Sequence, residues 1–177
     1  GFRKLKMTDD DLFVFDACGR GDTLVLSTAG IARGDSGSPR SPGGKAGRGK
    51  LALRLDELHE RAAEIAAEAA SGGWLRLPTP YSDNAGFLAA GIAAQVITVL
   101  PRAEATRLLA LGSDPALLAA IVANKRPPDG SPLDGKIPET WALMHTPNDA
   151  AGTLTASAFA LMARFLDALA RRMEPTV

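Results

Sequence analysis

The chain is poor in the residues that build covalent or metal cross-links. Its 177 residues include one cysteine, Cys18, and two histidines, His59 and His145. A single cysteine excludes an internal disulfide and any zinc site built from several cysteines. Cysteine usage this low favours a reducing compartment such as the cytoplasm. Cys18 has no histidine near it in sequence, and we interpret it as a packed thiol rather than a nucleophile.

The sequence also lacks an excess of charge of either sign and any long apolar run. It has 20 Lys and Arg against 20 Asp and Glu, so no net charge attracts nucleic acid or an anionic membrane. No apolar run approaches the roughly 20 residues of a membrane span. We therefore expect neither kind of partner. Its hydrophobic content, 46%, is enough for the core of a single domain over 1–177.

Apolar periodicity predicts strands that alternate with helices. The predicted strands are 12–15, 23–27, 74–77 and 94–100, and the predicted helices are 51–70, 85–90, 103–111, 115–123 and 154–173, the last capped by Thr153. Residues 30–50 are rich in Gly, Ser and Pro, which predicts a flexible loop; residues 125–138 form a second Pro/Gly-rich loop. Such alternation is typical of a mostly parallel sheet in a three-layer α/β/α sandwich.

The segment Trp141-Ala-Leu-Met-His145-Thr-Pro147-Asn-Asp149 leads into the last predicted helix. Pro147 restricts the backbone two residues after His145, and Asp149 is close enough to accept a proton from a neighbouring group. His145 is therefore a candidate metal ligand. The alternative is a partly buried histidine at a helix entrance.

Two further polar features follow predicted strands. Asp16 ends the strand 12–15, and the turn 82–84 follows the strand 74–77. Sites in such sheets form beyond the carboxyl ends of the strands, and an acid that ends an apolar strand is costly to bury unless it is paired or bound to metal. Alternatively, Asp16 caps the glycine-rich turn that follows it.

In this order, three motifs resemble those of a known enzyme family. They read Phe15-Asp16-Ala17-Cys18-Gly19-Arg20, then Ser82-Asp83-Asn84 with Gly91-Ile92-Ala93-Ala94, then His145-Thr146-Pro147-Asn148-Asp149. They are similar to the C-terminal half of the zinc-dependent aminopeptidases, a family that includes bacterial leucyl aminopeptidases, glutaminyl cyclases and the transferrin-receptor ectodomain. The resemblance spans about residues 12–169.

The resemblance implies a metallopeptidase that hydrolyses N-terminal peptide bonds, with one or two zinc ions and a peptide or small amide as substrate. His145 would ligate one zinc, and Asp16 would ligate the second, or hydrogen-bond near the reaction centre as in one-zinc cyclases. Asp149 would orient the site loop, and Asp83 would be a structural acid of its turn.

Two aromatic residues have open roles. Tyr81 is a candidate hydrogen-bond donor to a tetrahedral oxyanion, the alternative being a packed or rim tyrosine. Trp141 would either line a substrate pocket or anchor the loop to which it belongs.

The sequence departs from the family at Asn84, where the family usually has His, and at Ala93, where it usually has Pro. The family's first His-x-Asp, its bridging Asp and its Glu-Glu pair precede the matching region. We interpret His59 as a solvated surface residue that cannot replace them. We therefore expect this chain to be the C-terminal portion of such an enzyme, binding zinc weakly and inactive alone. The alternatives are a non-catalytic binding or scaffold domain and a glutaminyl-cyclase-like acyltransferase.

Overall fold

The computed structural model describes residues 10–28, 45–111, 135 and 137–173. Within them the chain forms a mixed α/β fold around a four-stranded sheet. The strands are β1 (Asp11–Phe15), β2 (Thr23–Ser27), β3 (Trp74–Leu77) and β4 (Ala93–Leu100). All four agree with the predicted strands to within one residue at each end.

The strand order is β1-β4-β2-β3. β1 pairs with β4 and β2 pairs with β3 in parallel, whereas β2 and β4 are antiparallel. The sheet is therefore mostly parallel, as the sequence predicted. The last residue of β1, Phe15, is paired with Ile97 near the end of β4, so Asp16 follows the sheet at the carboxyl end of that pair.

Five α-helices occupy the described residues: α1 (Lys45–Ala69), α2 (Asn84–Ala89), α3 (Arg102–Leu111), α4 (Glu139–Leu143) and α5 (Ala156–Met173). α1 begins six residues before its predicted start, so the end of the predicted loop 30–50 is helical. α4 falls in a stretch for which we predicted no regular structure. The predicted helix 115–123 and the rest of that loop lie outside the described residues.

The N-terminus of α5 differs from its prediction. Thr153 belongs to a short 3-10 turn, Ala151–Thr153, and its hydroxyl donates to the Ala150 carbonyl. Thr155 caps the helix instead, because its hydroxyl oxygen accepts a hydrogen bond from the Ala158 N–H at 3.4 Å. The same oxygen accepts from the Gly21 N–H at 3.0 Å, which ties the start of α5 to the β1–β2 turn.

One face of the sheet is packed by α1 and α5. Side chains alternate between the faces of a strand, and the alternate residues Leu24 and Leu26 of β2 pack with Ile97 and Val99 of β4 against both helices. Phe165 of α5 is fully buried in this cluster. It meets Phe13 and Phe15 edge-on, with ring centroids 6.4 and 6.1 Å away.

The opposite face carries a smaller cluster. Val25 and Leu77 pack there with Leu108 of α3 and with Trp141 of α4. α3 contacts β2 and β3 on this face, and Leu100 of β4 packs in the same cluster. Val96 and Thr98 of β4 line the candidate site.

The β1–β2 turn requires glycine at one position. Gly21 has φ of +112°, and a Cβ there would lie 2.2 Å from the Leu100 carbonyl carbon. Any larger residue would displace the turn from the end of β4, because its Cβ would clash with the backbone of Leu100. In the part of the chain that the structure describes, no helix is long and apolar enough to cross a membrane.

Candidate functional site

A cavity of about 360 Å³ opens beside β4, where Val96 and Thr98 line it. Val96 and Thr98 of β4 form its floor. The remaining wall residues come from three segments: the end of β1 (Phe15, Asp16, Ala17), the loop after β3 (Thr79, Pro80, Tyr81, Ser82, Asp83) and the end of α4 with the residues after it (Trp141, Met144, His145). Segments far apart in sequence therefore meet at one concave surface, the usual form of a small-molecule site.

The structure brings together most of the residues that the sequence singled out. Asp16, Asp83, His145, Tyr81 and Trp141 all line this cavity. Their placement agrees with the expectation that the three motifs meet, whereas the individual roles assigned to them remain predictions.

Asp149 is placed apart from these residues. It does not line the cavity, and its side chain is exposed. Its backbone N–H donates to the Thr146 carbonyl at 3.0 Å, so it belongs to the turn that follows His145.

Two residues of the cavity wall have left-handed backbone conformations. Ala17 has φ of +51° and His145 has φ of +62°, the positive-φ residues other than glycine among those described. This region costs an L-residue about 1–2 kcal/mol, although histidine tolerates it better than most. Non-glycine residues hold such conformations when the surrounding structure fixes them, and they cluster at functional sites.

The conformation of Ala17 is fixed by β4. Its carbonyl accepts hydrogen bonds from the Thr98 hydroxyl at 3.1 Å and from the Val99 N–H at 3.4 Å. Drawing this carbonyl toward β4 turns the chain sharply just after Asp16. The turn keeps Asp16 at the cavity wall and leaves it partly exposed.

Cys18 lies directly behind this turn. Its thiol donates to the carbonyls of Asp16 and Ile97 at 3.4 and 3.3 Å. Burial, followed by the charge of Asp16, raises the pKa of the Cys18 thiol to about 12. A thiol this hard to ionise is a poor nucleophile at neutral pH, in agreement with its interpretation as a packed residue.

The loop after β3 is shaped by internal hydrogen bonds. The Ser82 N–H donates to the Asn84 side-chain oxygen at 2.9 Å, which starts α2. Asn84 is fully buried, and its amide nitrogen has no hydrogen-bond partner among the described residues. Asp83 lies at the N-cap of α2, makes no capping hydrogen bond and is exposed beside the cavity.

His59 is not a surface residue, and our interpretation of it was wrong. It is 4% exposed and its Nδ1 lies 2.9 Å from the Gln95 side-chain oxygen. Burial lowers the pKa of His59, in part offset by this hydrogen bond. The signal that sequence reasoning missed is Gln95 itself, since an amide inside an apolar strand needs a buried partner.

The His59 hydrogen bond belongs to a network that reaches the cavity. The Gln95 amide nitrogen donates to the Ser27 carbonyl at 2.9 Å, and the Thr79 hydroxyl donates to the Ser27 hydroxyl at 2.7 Å. Thr79 is a cavity residue. The end of β2 thus links the packed face of the sheet to the loop that forms the cavity.

Two residues of the cavity wall carry groups of the kind that metals accept as ligands. Asp16 and His145 provide a carboxylate and an imidazole, which are donors that zinc accepts. Among the described residues there is no group of three His, Cys, Asp or Glu side chains that could hold a metal ion. Comparisons of the chain with models of protein families, with curated proteins and with solved structures find no match.

Proposed function

We propose that the cavity is the C-terminal part of the active site of a zinc-dependent aminopeptidase, with a peptide or small amide as substrate. The observation that supports this most directly is that all three family-like motifs contribute to one cavity, through Asp16, Asp83 and His145. The proposal includes the family's three-layer α/β/α sandwich as the complete fold.

The proposal assigns a role to each motif. His145 would be a zinc ligand, and Asp16 would be a ligand of a second zinc or an acid beside the reaction centre. The left-handed backbone of His145 supports this role, because a strained conformation that is maintained in a cavity wall points to a requirement on where the side chain projects. Bound zinc would polarise the amide carbonyl and lower the pKa of a water molecule.

The residues present fit this metal only in part. A catalytic zinc usually takes three protein ligands, and the described cavity offers two candidates, one of them assigned to a second zinc in two-zinc enzymes. The proposal therefore requires further ligands, and a general base, from polypeptide beyond the described residues. For the 177-residue chain by itself we predict weak zinc binding and no peptide hydrolysis.

Metal titration of the 177-residue chain tests this proposal. Zn²⁺ and Co²⁺ would be titrated by calorimetry and by the visible absorption of bound cobalt. We expect weak binding that His145→Ala lowers by about tenfold or more, equivalent to about 1.4 kcal/mol, and that Asp16→Asn also weakens. Glu60→Gln is the matched control and should leave the affinity unchanged, because it removes an exposed ion pair with Arg76 and neither residue lines the cavity.

Tight stoichiometric binding by the unmodified chain would contradict the prediction that its site is partial. Equal binding by the wild type and His145→Ala would contradict the role of His145. An aminoacyl-anilide assay run in parallel should show no turnover above that of zinc alone.

The encoded sequence upstream of Gly1 separates the candidate functions. A Glu-Glu pair, an Asp and a His-x-Asp there would support the two-zinc peptidase. Acids without the first histidine would favour the cyclase-like acyltransferase, and loss of the glutamates would favour the non-catalytic scaffold.

A further inference from the structure

A cluster of polar and charged side chains lies outside the cavity and joins two of its walls. Arg20 belongs to the turn after β1, four residues beyond Asp16, and Thr140 belongs to α4, five residues before His145. Glu104 of α3 lies between them. We call Arg20, Glu104 and Thr140 the clamp.

Glu104 is the centre of the clamp. It is 8% exposed, and one of its carboxylate oxygens accepts hydrogen bonds from both the N–H and the hydroxyl of Thr140, at 3.1 and 2.9 Å. Its other oxygen lies 3.4 Å from the Arg20 guanidinium. A buried carboxylate is stable only when it is paired and hydrogen-bonded, so this geometry holds both neighbours in place.

Arg20 closes the cluster from the other side. Its guanidinium donates to the Thr140 hydroxyl at 3.3 Å and to the exposed carboxylate of Glu139 at 2.6 Å. Arg20 therefore contacts α3 and α4 together. The planar guanidinium presents several donors in a fixed geometry, which a lysine at this position could not reproduce.

We propose that the clamp positions the His145 wall of the cavity relative to the Asp16 wall. The two walls are carried by different chain segments, and Arg20 and Thr140 lie close to Asp16 and His145 in sequence. α4 is a single short helix of five residues, too short to be stable by its own hydrogen bonds. Its orientation, and with it the positions of Trp141 and His145, thus depends on contacts such as those of Glu104.

The functional effect of the clamp rests on the proposed function. If Asp16 and His145 are metal ligands, holding them at the correct separation makes the protein bind metal more tightly. Supporting groups around metal ligands typically contribute about 10–100-fold in affinity. The clamp residues are positioning residues, since they act on the cavity through α4 and the β1–β2 turn and do not line it.

The test combines a metal-free measurement with a metal titration. In the metal-free protein, NMR would follow the imidazole carbon-bound protons of His145 and the indole N–H of Trp141. We expect Arg20→Gln and Thr140→Val to shift and broaden both sets of signals, and to weaken Zn²⁺ and Co²⁺ binding by about tenfold. Thr140→Ser keeps the hydroxyl and should restore wild-type behaviour.

Glu60→Gln is the matched control, because it removes an exposed ion pair with Arg76 that belongs to the opposite face of the sheet. It should leave the His145 and Trp141 signals and the metal affinity unchanged. Thr140→Val deletes one hydroxyl and keeps the Arg20–Glu104 pair, so it provides a folded variant if Arg20→Gln does not fold.

The positioning role of the clamp would be refuted if Arg20→Gln and Thr140→Val lowered the melting temperature while the NMR signals of His145 and Trp141 kept their wild-type positions. That result would mean a merely structural contact. If the signals moved as expected but the wild type bound no metal, the positioning role would stand and the proposed zinc function would fail.

Discussion

The two faces of the sheet differ in how their space is filled, and each carries one of the two histidines. Under α1 and α5 the face is closed by aliphatic side chains and Phe165, and its histidine, His59, is buried with a hydrogen-bond partner. On the other face Val96 and Thr98 of β4 line a cavity, and the exposed His145 has a left-handed backbone conformation at the wall of that cavity.

This difference separates a packed core on one side of the sheet from a cavity on the other. Dense apolar packing on one face supplies most of the free energy of folding, which permits strained backbone and polar side chains on the other face. The same residue type then has different surroundings: His59 completes a buried network, whereas His145 is exposed at the cavity, where we propose that it binds zinc. The comparison leads to four predictions about the two faces.

The largest effect is expected on the packed face. Phe165→Ala should lower the free energy of unfolding by about 3–5 kcal/mol, because it leaves a cavity where a fully buried ring meets Phe13 and Phe15. Urea denaturation would measure the change. Leu166→Ala, at a position that is 46% exposed, should change stability by less than about 0.5 kcal/mol. Similar losses for the two variants would contradict the assignment of the core.

A smaller effect is expected from His59. His59→Ala leaves the buried Gln95 oxygen without its partner, which should cost about 1–3 kcal/mol. His145 is exposed, so His145→Ala should lower the free energy of unfolding much less. The same urea denaturation experiment compares the two variants.

His59 also predicts a dependence on pH. Burial lowers its pKa in the folded protein below the ordinary value of 6.5, with Arg76 lowering it further and Glu60 and Asp56 acting in the opposite direction. The unfolded chain therefore takes up the proton first as pH falls. The contribution of neutral His59 to stability is complete above about pH 6.5 and decreases below it. The gap in stability between the wild type and His59→Ala should shrink from pH 7.5 to pH 5; a constant gap would argue against a buried neutral imidazole.

The smallest effect is expected on the open face. Glycine adopts a left-handed backbone without strain, so His145→Gly and Ala17→Gly should each stabilise the fold by up to about 1 kcal/mol, after the entropic cost of glycine. Thermal unfolding measures this gain. Metal binding should weaken in His145→Gly and be retained in Ala17→Gly, and His145→Ala should weaken binding without the gain in stability. Destabilisation by both glycine variants would mean that neither position is strained.

The strands could be predicted from sequence because each is a short apolar run bounded by glycine, proline or polar residues. Helix ends were harder to predict. α1 extends back to Lys45 through glycines of low helix propensity, and α5 is capped by Thr155 because that hydroxyl also meets Gly21. The second outcome depends on a contact with the β1–β2 turn that local patterns do not contain.

The candidate site could be predicted in part for a similar reason. Asp16, Asp83 and His145 were recognised from motifs at the ends of predicted elements, where parallel strands gather such residues. His59 was misinterpreted because charged residues flank it in α1. The buried face of that helix is nevertheless wide enough to include His59. Its partner Gln95 lies 36 residues away, and no local pattern connects the two.

The sequence by itself determined the strands, the approximate helices, a mostly parallel sheet and the residue types that gather at its edge, because these follow from hydrophobic periodicity and local turn chemistry. Only the tertiary structure decided that β4 lies antiparallel to β2, that Val96 and Thr98 of β4 line a cavity, and that Arg20 meets Glu104 and Thr140, which lie far from it in the sequence. Such contacts arise from the packing of whole elements against one another, a balance of burial and hydrogen bonding that no single segment encodes.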